Sequence, residues 1–412
     1  MQPGKSSPVL AADCVFLTGE DNETLVISCL DRMTGKTRWE RSLTAGRREF
    51  RHPLNTPAVA TPVTNGRDLF TFFPDFGLVS HDRDGNERWR VPLGPFSAAW
   101  GMASSPILVD DAVLLLLDGF KESYLAAFDE RTGKERWRTE RFAFALNYST
   151  PVIRELGGGR SEIVVLGPRR AVGYDPTTGK ENWSVKVPGG TMVPSPVLAE
   201  GTLVSVTFSV EEQPSFTEQL QLHDVNQDGK ISESEIGNGD SDRPLQMFAK
   251  FNGNNDGVIT AEEWKEGWRE MTGPSTVLTL RLPDGSDATP QTGWSHLRNV
   301  PRVSSPLLYR GLLYLVTDGG IMTSLHTATG EPTKVARLNG AIDKYFASPV
   351  AADGHIYVLS ESGKLVILRA GRDWEVIQVN DVGEGGYATP ALSDGKVYIR
   401  TSESLSCFWR PA

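Results

Sequence analysis

The sequence predicts an all-β protein, an eight-bladed β-propeller whose fifth blade carries a small α-helical insertion. Three observations lead to this fold class: a recurring Ser/Thr-Pro dipeptide, a turn motif that ends in tryptophan, and one acidic segment that interrupts the recurrence. The chain has 412 residues with 41 Gly and 26 Pro, a composition that favours many tight turns and short strands. Recurrence at a fixed period is the signature of a repeat fold.

The Ser/Thr-Pro dipeptide recurs along the whole chain. Its prolines are Pro8, Pro62, Pro106, Pro151, Pro196, Pro306, Pro349 and Pro390. The intervals between them are 54, 44, 45, 45, 110, 43 and 41 residues. Eight units of about 45 residues follow, and the long interval holds one unit plus about 65 extra residues.

A turn motif lies near the end of most units. It reads Asp-x-x-Thr-Gly-Lys-x-x-Trp in Asp31–Trp39, Asp129–Trp137 and Asp175–Trp183, with a shortened copy in Asp82–Trp89. The aspartate can accept hydrogen bonds from the backbone that follows it, and glycine readily adopts positive φ, so the motif predicts a hairpin turn. With apolar segments such as Ala112–Leu117 between the motifs, each unit reads as four short antiparallel strands, which is one blade. We expect the tryptophans to pack between neighbouring blades.

The first and last units of the repeat contain fewer residues than a closed propeller with eight four-stranded blades would need. The last unit, Tyr387–Arg410, holds only three strands, so we expect a three-stranded eighth blade. Met1–Lys5 leads directly into a strand pattern without the apolar region of a signal peptide. Truncation of a longer natural protein would explain both features.

Charge and cysteine content narrow the function classes. The formal net charge is −10, which disfavours binding to the phosphate backbone of nucleic acids. The apolar runs have the length of strands, so no transmembrane segment is expected. A monomer is favoured. Cys14 and Cys29 are expected roughly opposite each other on paired strands, where they could form a disulfide in an oxidising compartment, although a buried free thiol is the commoner state.

The extra residues divide the chain into three parts. We expect propeller blades 1 to 5 over residues 1–210, an inserted helical module over 211–274, and the rest of blade 5 with blades 6 to 8 over 275–412. The insertion falls between the predicted strands Gly201–Ser209 and Thr276–Leu282, where the sequence turns acidic and helical.

The insertion contains a 12-residue loop that matches the EF-hand pattern at every required position. The predicted calcium ligands are Asp224, Asn226, Asp228, Lys230 through its carbonyl, Ser232 and Glu235. Gly229 makes the sharp turn, and Glu235 closes the shell as the bidentate ligand. Calcium is a hard cation that takes six to eight oxygens, and this spacing supplies them.

A second loop follows 28 residues later and departs from the pattern at its first position. Its predicted ligands are Asn252, Asn254, Asp256, Val258, Thr260 and Glu263. Asn252 replaces the usual aspartate, so this loop has two ligand carboxylates against three, and we expect it to bind calcium more weakly. Ile231 and Ile259, at the eighth position of each loop, are expected to pair as a short β-bridge.

A polar and aromatic pocket is expected near the propeller axis, on the loops that precede the Ser/Thr-Pro dipeptides. Its candidate residues are Arg51, His52, Asn55, Trp100, Asn147, Tyr148, His296, Arg298 and Tyr345. The alternative is that these side chains only solvate the mouth of the channel. No catalytic residue is predicted, because the six histidines show no metal-ligand spacing and no Gly-x-Ser-x-Gly elbow occurs.

The motif units Asp129–Trp137 and Asp175–Trp183 resemble the tryptophan-docking repeat of the PQQ-like, quinoprotein-type propellers, which include the assembly factor BamB and quinoprotein alcohol dehydrogenases. Ser305–Tyr309 and Ala347–Gly354 look like a bacterial secreted subgroup of that family, some members of which carry EF-hand insertions. The resemblance implies a periplasmic or secreted location. The dehydrogenases place a vicinal disulfide against the quinone, and this chain has no adjacent cysteines, so we expect no PQQ.

Two functions follow from these observations. The first is a calcium-binding, non-catalytic scaffold with a protein or glycan partner. The second is an enzyme or carbohydrate-binding module that uses the axial pocket, with quinoprotein dehydrogenase activity disfavoured. A ligand or ordered metal at the channel mouth would favour the second function.

Overall fold

Each Ser/Thr-Pro dipeptide immediately precedes the first strand of a separate antiparallel sheet, as Pro8 precedes Val9. Proline lacks a backbone N–H, which suits it to a strand entry better than to a strand interior. The computed structural model describes residues 1–412 except 97, 99, 120–121, 142–146, 200, 210–212, 238–241, 243–244, 247, 250–253, 255, 270–271, 284–288 and 410–412.

The first four blades each contain four strands. Blade 1 comprises β1 (Val9–Ala11), β2 (Cys14–Asp21), β3 (Thr24–Asp31) and β4 (Thr37–Thr44). Blade 2 comprises β5 (Val63–Thr64), β6 (Asp68–Phe73), β7 (Gly77–Asp82) and β8 (Glu87–Pro92). Blade 3 comprises β9 (Ile107–Val109), β10 (Ala112–Asp118), β11 (Ser123–Asp129) and β12 (Glu135–Glu140). Blade 4 comprises β13 (Val152–Leu156), β14 (Arg160–Gly167), β15 (Arg170–Tyr174) and β16 (Glu181–Lys186).

The remaining blades include the interrupted one and the shortened one. Blade 5 comprises β17 (Val197–Ala199), β18 (Thr202–Thr207), β21 (Thr276–Arg281) and β22 (Gln291–His296). Blade 6 comprises β23 (Leu307–Tyr309), β24 (Leu312–Thr317), β25 (Ile321–His326) and β26 (Pro332–Arg337). Blade 7 comprises β27 (Val350–Ala352), β28 (His355–Leu359), β29 (Lys364–Arg369) and β30 (Glu375–Asp381). Blade 8 comprises β31 (Ala391–Ser393), β32 (Lys396–Arg400) and β33 (Leu405–Trp409).

The predicted fold class is confirmed: eight blades are present, and the last one has three strands in the described part of the chain. A helical insertion lies within blade 5, between β18 and β21. It contains helix α1 (Phe216–His223), strands β19 (Ile231–Ser232) and β20 (Val258–Ile259), and helix α2 (Ala261–Arg269). Among the described residues, no helix has both the length and the apolar composition needed to cross a bilayer.

The hydroxyl groups of the eight dipeptides form a closed ring of hydrogen bonds around the axis. Each backbone N–H donates to the side-chain oxygen of the next blade's Ser or Thr, at 2.9 to 3.2 Å. The ring runs Ser7, Thr61, Ser105, Thr150, Ser195, Ser305, Ser348 and Thr389, and returns to Ser7. The residue choice at the dipeptide therefore has a structural reason, because the Ser or Thr hydroxyl supplies the acceptor for the backbone N–H of the preceding blade.

Four outer-strand tryptophans pack against the turn glycine of the following blade, whereas the indole N–H of Trp183 donates to Glu162 of its own blade at 3.0 Å. A Cβ placed on that glycine would lie only 2.3 to 2.7 Å from the indole ring, so the site requires glycine. The pairs are Trp39 with Gly85, Trp89 with Gly133, Trp137 with Gly179 and Trp294 with Gly330. In each pair the indole N–H donates to a carbonyl in the same turn, at 2.8 to 2.9 Å.

Cys14 and Cys29 are both buried and free. The strand register places Phe16 opposite Cys29 and Cys14 opposite Asp31, so the two thiols are offset by two residues instead of facing each other directly. Burial raises the pKa of the Cys29 thiol, with a further contribution from its neighbour Cys14.

Candidate metal centre and axial face

The first candidate loop begins where helix α1 ends. Ser215 caps the start of this helix by accepting a hydrogen bond from the backbone N–H of Glu218 at 3.3 Å. Asp224 is the residue that caps its end, and its N–H donates to the carbonyl of Leu220 at 2.9 Å. The position of Asp224, the first predicted ligand, is therefore set by the C-terminal end of α1.

The next polar side chains fold back on the loop backbone. Asp224 accepts from the N–H of Gly229, Asn226 from the N–H of Asp228, and Asp228 from the N–H of Lys230, each at 2.9 Å. Gly229 has φ of +78°, a conformation that glycine adopts without strain. These bonds gather the oxygens of loop positions 1, 3 and 5 around one turn.

Glu235 connects the two halves of this loop. One carboxylate oxygen accepts from the N–H of Asn226 at 3.2 Å, and the other accepts from the N–H and hydroxyl of Ser232 at 2.9 and 2.8 Å. The hydrogen bonds from Ser232, chiefly from its backbone N–H, lower the pKa of Glu235 below its ordinary range, so the group is ionised at neutral pH. A carboxylate that reaches both halves occupies the place that a bidentate ligand requires.

The second loop repeats these hydrogen bonds. Glu263 accepts from the N–H of Asn254 at 3.3 Å and from the N–H and hydroxyl of Thr260 at 3.0 and 2.8 Å. Asp256 accepts from the N–H of Val258 at 2.8 Å, and this bond is the main cause of its lowered pKa. Asn252, the predicted ligand at the first position, lies outside the described residues.

The two loops are joined at their eighth positions, as predicted. Ile231 and Ile259 are directly paired in the antiparallel ladder of β19 and β20, and both are buried. The N–H of Glu233 also donates to the carbonyl of Gly257 at 2.8 Å. Below this pair the insertion has its own apolar core, which includes Phe248 and Trp264. The loops therefore belong to one packed unit.

The donor groups of both loops suit a hard cation. Within the described residues, no three His, Cys, Asp or Glu side chains already converge on one point as a metal cluster. The loop pattern supplies carboxylate, amide and backbone carbonyl oxygens instead, which are the ligands that Ca²⁺ prefers. The donor types and their order fit calcium, and binding would require the carboxylates to exchange their backbone N–H partners for the ion.

On the axial face, Trp100 brings together several of the predicted pocket residues. Its ring stacks on Tyr148 with centroids 5.1 Å apart, and the Tyr148 hydroxyl accepts from its backbone N–H at 3.2 Å. The Trp100 carbonyl accepts from the N–H of His52 at 3.2 Å and from the side-chain amide of Asn55 at 2.7 Å. Trp100 is 37% exposed, so part of this residue is accessible to solvent.

Arg51 lies beside this group but is committed to an ion pair. Its two terminal nitrogens contact the two carboxylate oxygens of buried Asp75 at 2.8 and 2.7 Å. Such a bidentate pair fixes the guanidinium in one orientation.

Asn147 and Tyr345 are buried and satisfied by protein groups. The Asn147 amide donates to Asp118 and to the Leu166 carbonyl, both at 2.7 Å. The Tyr345 hydroxyl donates to the Ala341 carbonyl at 2.6 Å, and burial raises the pKa of this phenol. Both side chains hold loops against their blades.

His296 and Arg298 lie at the end of β22 and after it. His296 is half-buried, and burial lowers its pKa. Arg298 is exposed. Among the described hydrogen bonds and ring contacts, none joins either residue to Trp100.

The sequence interpretation did not include a polar groove of about 250 Å³ beside Arg51. Arg47 lies along this groove, ion-paired with buried Glu49, and donates to the Pro74 carbonyl at 2.6 Å. One feature of the sequence indicates this groove. The interval between Pro8 and Pro62 is 54 residues, which leaves a long connection before blade 2.

Comparison of the sequence with known families gives one match. The profile of the family described as outer membrane protein assembly factor BamB matches residues 121–410. No curated protein matches the sequence.

Solved structures share the fold at low sequence identity. BamB from Moraxella catarrhalis has a TM-score of 0.61 and 11% identity, covering 98% of this chain and 92% of that one. The computationally designed Ika8 protein has a TM-score of 0.60 and 10% identity, covering 100% of this chain and 97% of that one. A europium-containing methanol dehydrogenase reaches a TM-score of only 0.46 with 10% identity, over 90% of this chain and 83% of that one.

Proposed function

Because the chain belongs to the PQQ-like β-propeller family of the outer membrane protein assembly factor BamB, we propose that it is a non-catalytic interaction scaffold that binds calcium in its inserted module. A propeller fold by itself serves many functions, so the proposal depends on the inserted site. In this proposal, calcium orders the module on blade 5.

The observation that carries this proposal is the repetition of one hydrogen-bond arrangement in two loops. Asn226 and Asn254 both donate their backbone N–H to the closing glutamate of their own loop. The closing glutamates, Glu235 and Glu263, also accept from the hydroxyl at the ninth position in both loops. Two acidic loops with the same internal bonds, paired through a two-residue ladder, support a paired calcium site over an ordinary acidic turn.

Isothermal titration of the purified chain with calcium tests this proposal. We expect saturable binding with an affinity of about 10⁻⁴ to 10⁻³ M, as in extracellular modules. The double variant Asp224→Ala with Glu235→Ala should lose the tighter site. Glu218→Ala removes an acidic side chain of α1 outside the loop and is the matched control. Unchanged calcium binding in the double variant would remove the ligand assignment.

The proposed location is the periplasm or the extracellular space. Family membership supports it, and millimolar free calcium in such compartments would occupy a site of this affinity. The proposed partner is a protein that docks on the propeller.

A second candidate function is glycan binding on the axial face, and the stacked pair of Trp100 and Tyr148 favours it. A partly exposed indole, whose carbonyl is held by the Asn55 side-chain amide and the His52 backbone N–H, suits a sugar ring. A glycan array with wild type and Trp100→Ala separates the two functions. Binding that is lost in the variant supports this candidate, and an array without signal for wild type rejects it.

A further inference from the structure

The groove beside Arg51 takes no part in either function proposed above, and its walls come from two blades. Blade 1 contributes the end of its β2–β3 hairpin and the chain that follows β4. Blade 2 contributes the turn between β6 and β7, which holds Asp75. Every residue that lines the groove belongs to the described part of the chain. We call it the Arg51 groove.

Three arginines line the Arg51 groove, which by composition alone would indicate an anion site. Two of them are neutralised by protein groups. Arg51 contacts both carboxylate oxygens of Asp75 at 2.8 and 2.7 Å, and Arg47 is ion-paired with Glu49. Both of these carboxylates are buried. The third arginine, Arg48, is exposed, and no ion pair holds it within the described residues. Only one positive charge of the three is therefore free for a ligand.

The two neutral pairs also fix the walls of the groove. Asp75 accepts a second bond from the backbone N–H of Glu49 at 3.1 Å, and Glu49 accepts from the backbone N–H of Phe96 at 2.9 Å. Arg47 donates to the Pro74 carbonyl at 2.6 Å. The connection after blade 1 is thus tied to blade 2 through charged and backbone groups. A ligand would not need to order these walls, which reduces the free-energy cost of binding.

Two carboxylates on the blade 1 side of the groove lack such partners. Glu20 is half-buried and Glu23 is exposed. In the part of the chain that the structure describes, no hydrogen bond or ion pair holds either carboxylate. Burial raises the pKa of Glu20, and the opposing effect of the Arg51 charge is smaller. A half-buried carboxylate in this situation is stabilised when a cation lies beside it.

The unpaired groups define the charges of a matching ligand. Glu20 and Glu23 are negative and Arg48 is positive, so the complement carries two cationic groups and one anionic group. Between these charges the groove is lined by Leu25 and Pro57, whose apolar surface suits a methylene chain. The volume of about 250 Å³ is small, which favours a single small molecule over a folded partner.

We propose that the Arg51 groove binds a basic α-amino acid such as arginine. The side-chain cation lies at Glu20, the deeper carboxylate, where a guanidinium can donate two parallel N–H bonds. The α-ammonium and α-carboxylate groups lie at the rim, with Glu23 and Arg48 as their respective partners. This ligand site is independent of the calcium loops and of any protein partner.

Isothermal titration of the full chain with three related ligands tests the charge assignment. Chelator keeps the calcium loops empty in every titration. L-Arginine should bind saturably. L-Citrulline has nearly the same shape with a neutral side chain, and its affinity should be lower by about tenfold or more, because the Glu20 carboxylate then lacks a cation. Equal binding of the two, or no binding of L-arginine, would overturn the proposal.

A matched pair of protein variants places the ligand in the groove. Glu20→Gln should reduce the affinity for L-arginine by about tenfold or more. Glu403→Gln is the control, because Glu403 is exposed in the corresponding hairpin turn of blade 8 and does not line the groove. Equal affinities of the two variants would contradict the site. If Glu20→Gln does not fold, the comparison of L-arginine with L-citrulline still decides.

Arg48→Gln tests the orientation of the ligand. It should weaken L-arginine by about tenfold and leave the binding of agmatine unchanged, because agmatine has no α-carboxylate for Arg48 to bind. Equal losses for both ligands would contradict the role of Arg48. The same variant tests the anion alternative. If wild type bound inorganic phosphate but not L-arginine, and Arg48→Gln lost the phosphate, the groove would be an anion site and the proposal would be rejected.

Discussion

The backbone N–H of Thr389 donates a hydrogen bond to the hydroxyl of Ser7 across 3.2 Å, and this contact joins the last blade to the first. It is one of eight equivalent bonds around the axis, so the inner ring is closed, and blade 8 has three strands in the described part of the chain. Buried Arg400 reinforces the same junction by donating to the Thr18 and Ser6 carbonyls at 2.6 and 3.1 Å. The closure of the propeller thus depends on short polar contacts near the axis.

Ser7→Ala should destabilise the chain by about 1–2 kcal/mol, because it leaves the partly buried Thr389 N–H without its acceptor. Urea unfolding followed by tryptophan fluorescence measures the change. Ser393→Ala is the control, since that hydroxyl contacts only the neighbouring Asp394 side chain, and its effect should stay within about 0.5 kcal/mol. Equal effects of the two substitutions would show that the ring contact at Ser7 contributes nothing.

Gly133→Ala should cost clearly more stability than Gly158→Ala. Both glycines have positive φ, so each substitution carries about 1–2 kcal/mol of backbone strain. At Gly133 the added Cβ would also lie 2.6 Å from the Trp89 ring, whereas Gly158 has no neighbour within 4 Å, and overpacking adds about 1–3 kcal/mol. Thermal unfolding of the two variants checks the difference, and matching melting temperatures would contradict tryptophan docking.

Trp264→Ala should loosen the inserted module while the propeller stays intact. Trp264 is buried, and its indole N–H donates to the Pro214 carbonyl at 2.8 Å, so its removal costs about 3–5 kcal/mol within the module. Hydrogen exchange should show lost protection in α1, β19, β20 and α2, with unchanged protection in β24 and β28. Leu222→Ala is the control, because Leu222 is 72% exposed on the same module. Lost protection in the blades would mean that the two parts are not independent.

The first calcium loop should bind more tightly than the second. Glu235→Gln removes one of three ligand carboxylates from the first loop, and Glu263→Gln removes one of two from the second. In calorimetry, the first substitution should abolish the tighter phase and the second the weaker phase. Ile231→Ala should weaken both, because Ile231 pairs with Ile259 across the module. If Glu235→Gln and Glu263→Gln lost the same binding phase, the assignment of two separate sites would be rejected.

Acid should remove part of the stability of the turn motif. The hydrogen bond from Arg136, followed by those from Thr132, lowers the pKa of Asp129 from 3.8 to about 2. The unfolded chain therefore takes up this proton more readily, and the contribution of Asp129 is complete above pH 3.8 and lost as the pH falls to about 2. Asp129→Asn should flatten this part of the stability curve, by about 1 kcal/mol or less, because the group is largely solvated. Melting curves of Asp129→Asn between these two pH values test this expectation, with Asp84→Asn as the control. An equal change in the two variants would contradict the role of Asp129.

The repeat made the blades predictable from sequence. The spacing of Pro8, Pro62 and their equivalents gave the number of blades, and the three strands of Tyr387–Arg410 gave the short last one. The β-bridge of Ile231 and Ile259 followed from the loop pattern alone. These features depend on local residue order, which a sequence records directly.

The contacts between distant units could not be predicted in the same way. Asn147 and Tyr345 stand at positions equivalent to the exposed axial loops, yet both are buried. Asn147 donates to Asp118 of blade 3 and to Leu166 of blade 4, so its burial depends on two blades. The groove beside Arg51 depends on Asp75, which lies 24 residues further along the chain and has no motif around it. Burial of this kind is set by how the blades pack, and no local pattern carries it.

Thr207 and Thr276 form the last pair of the β18–β21 ladder in blade 5. In an ordinary hairpin, a short turn would connect two residues paired in this way. The chain therefore leaves the propeller and returns to it at neighbouring points, and the register of the β18–β21 ladder is continuous up to them. A module attached in this way can be exchanged as a unit. Replacing residues 208–275 with a two-residue turn should yield a plain propeller, and another small domain with closely spaced ends could be grafted at the same position.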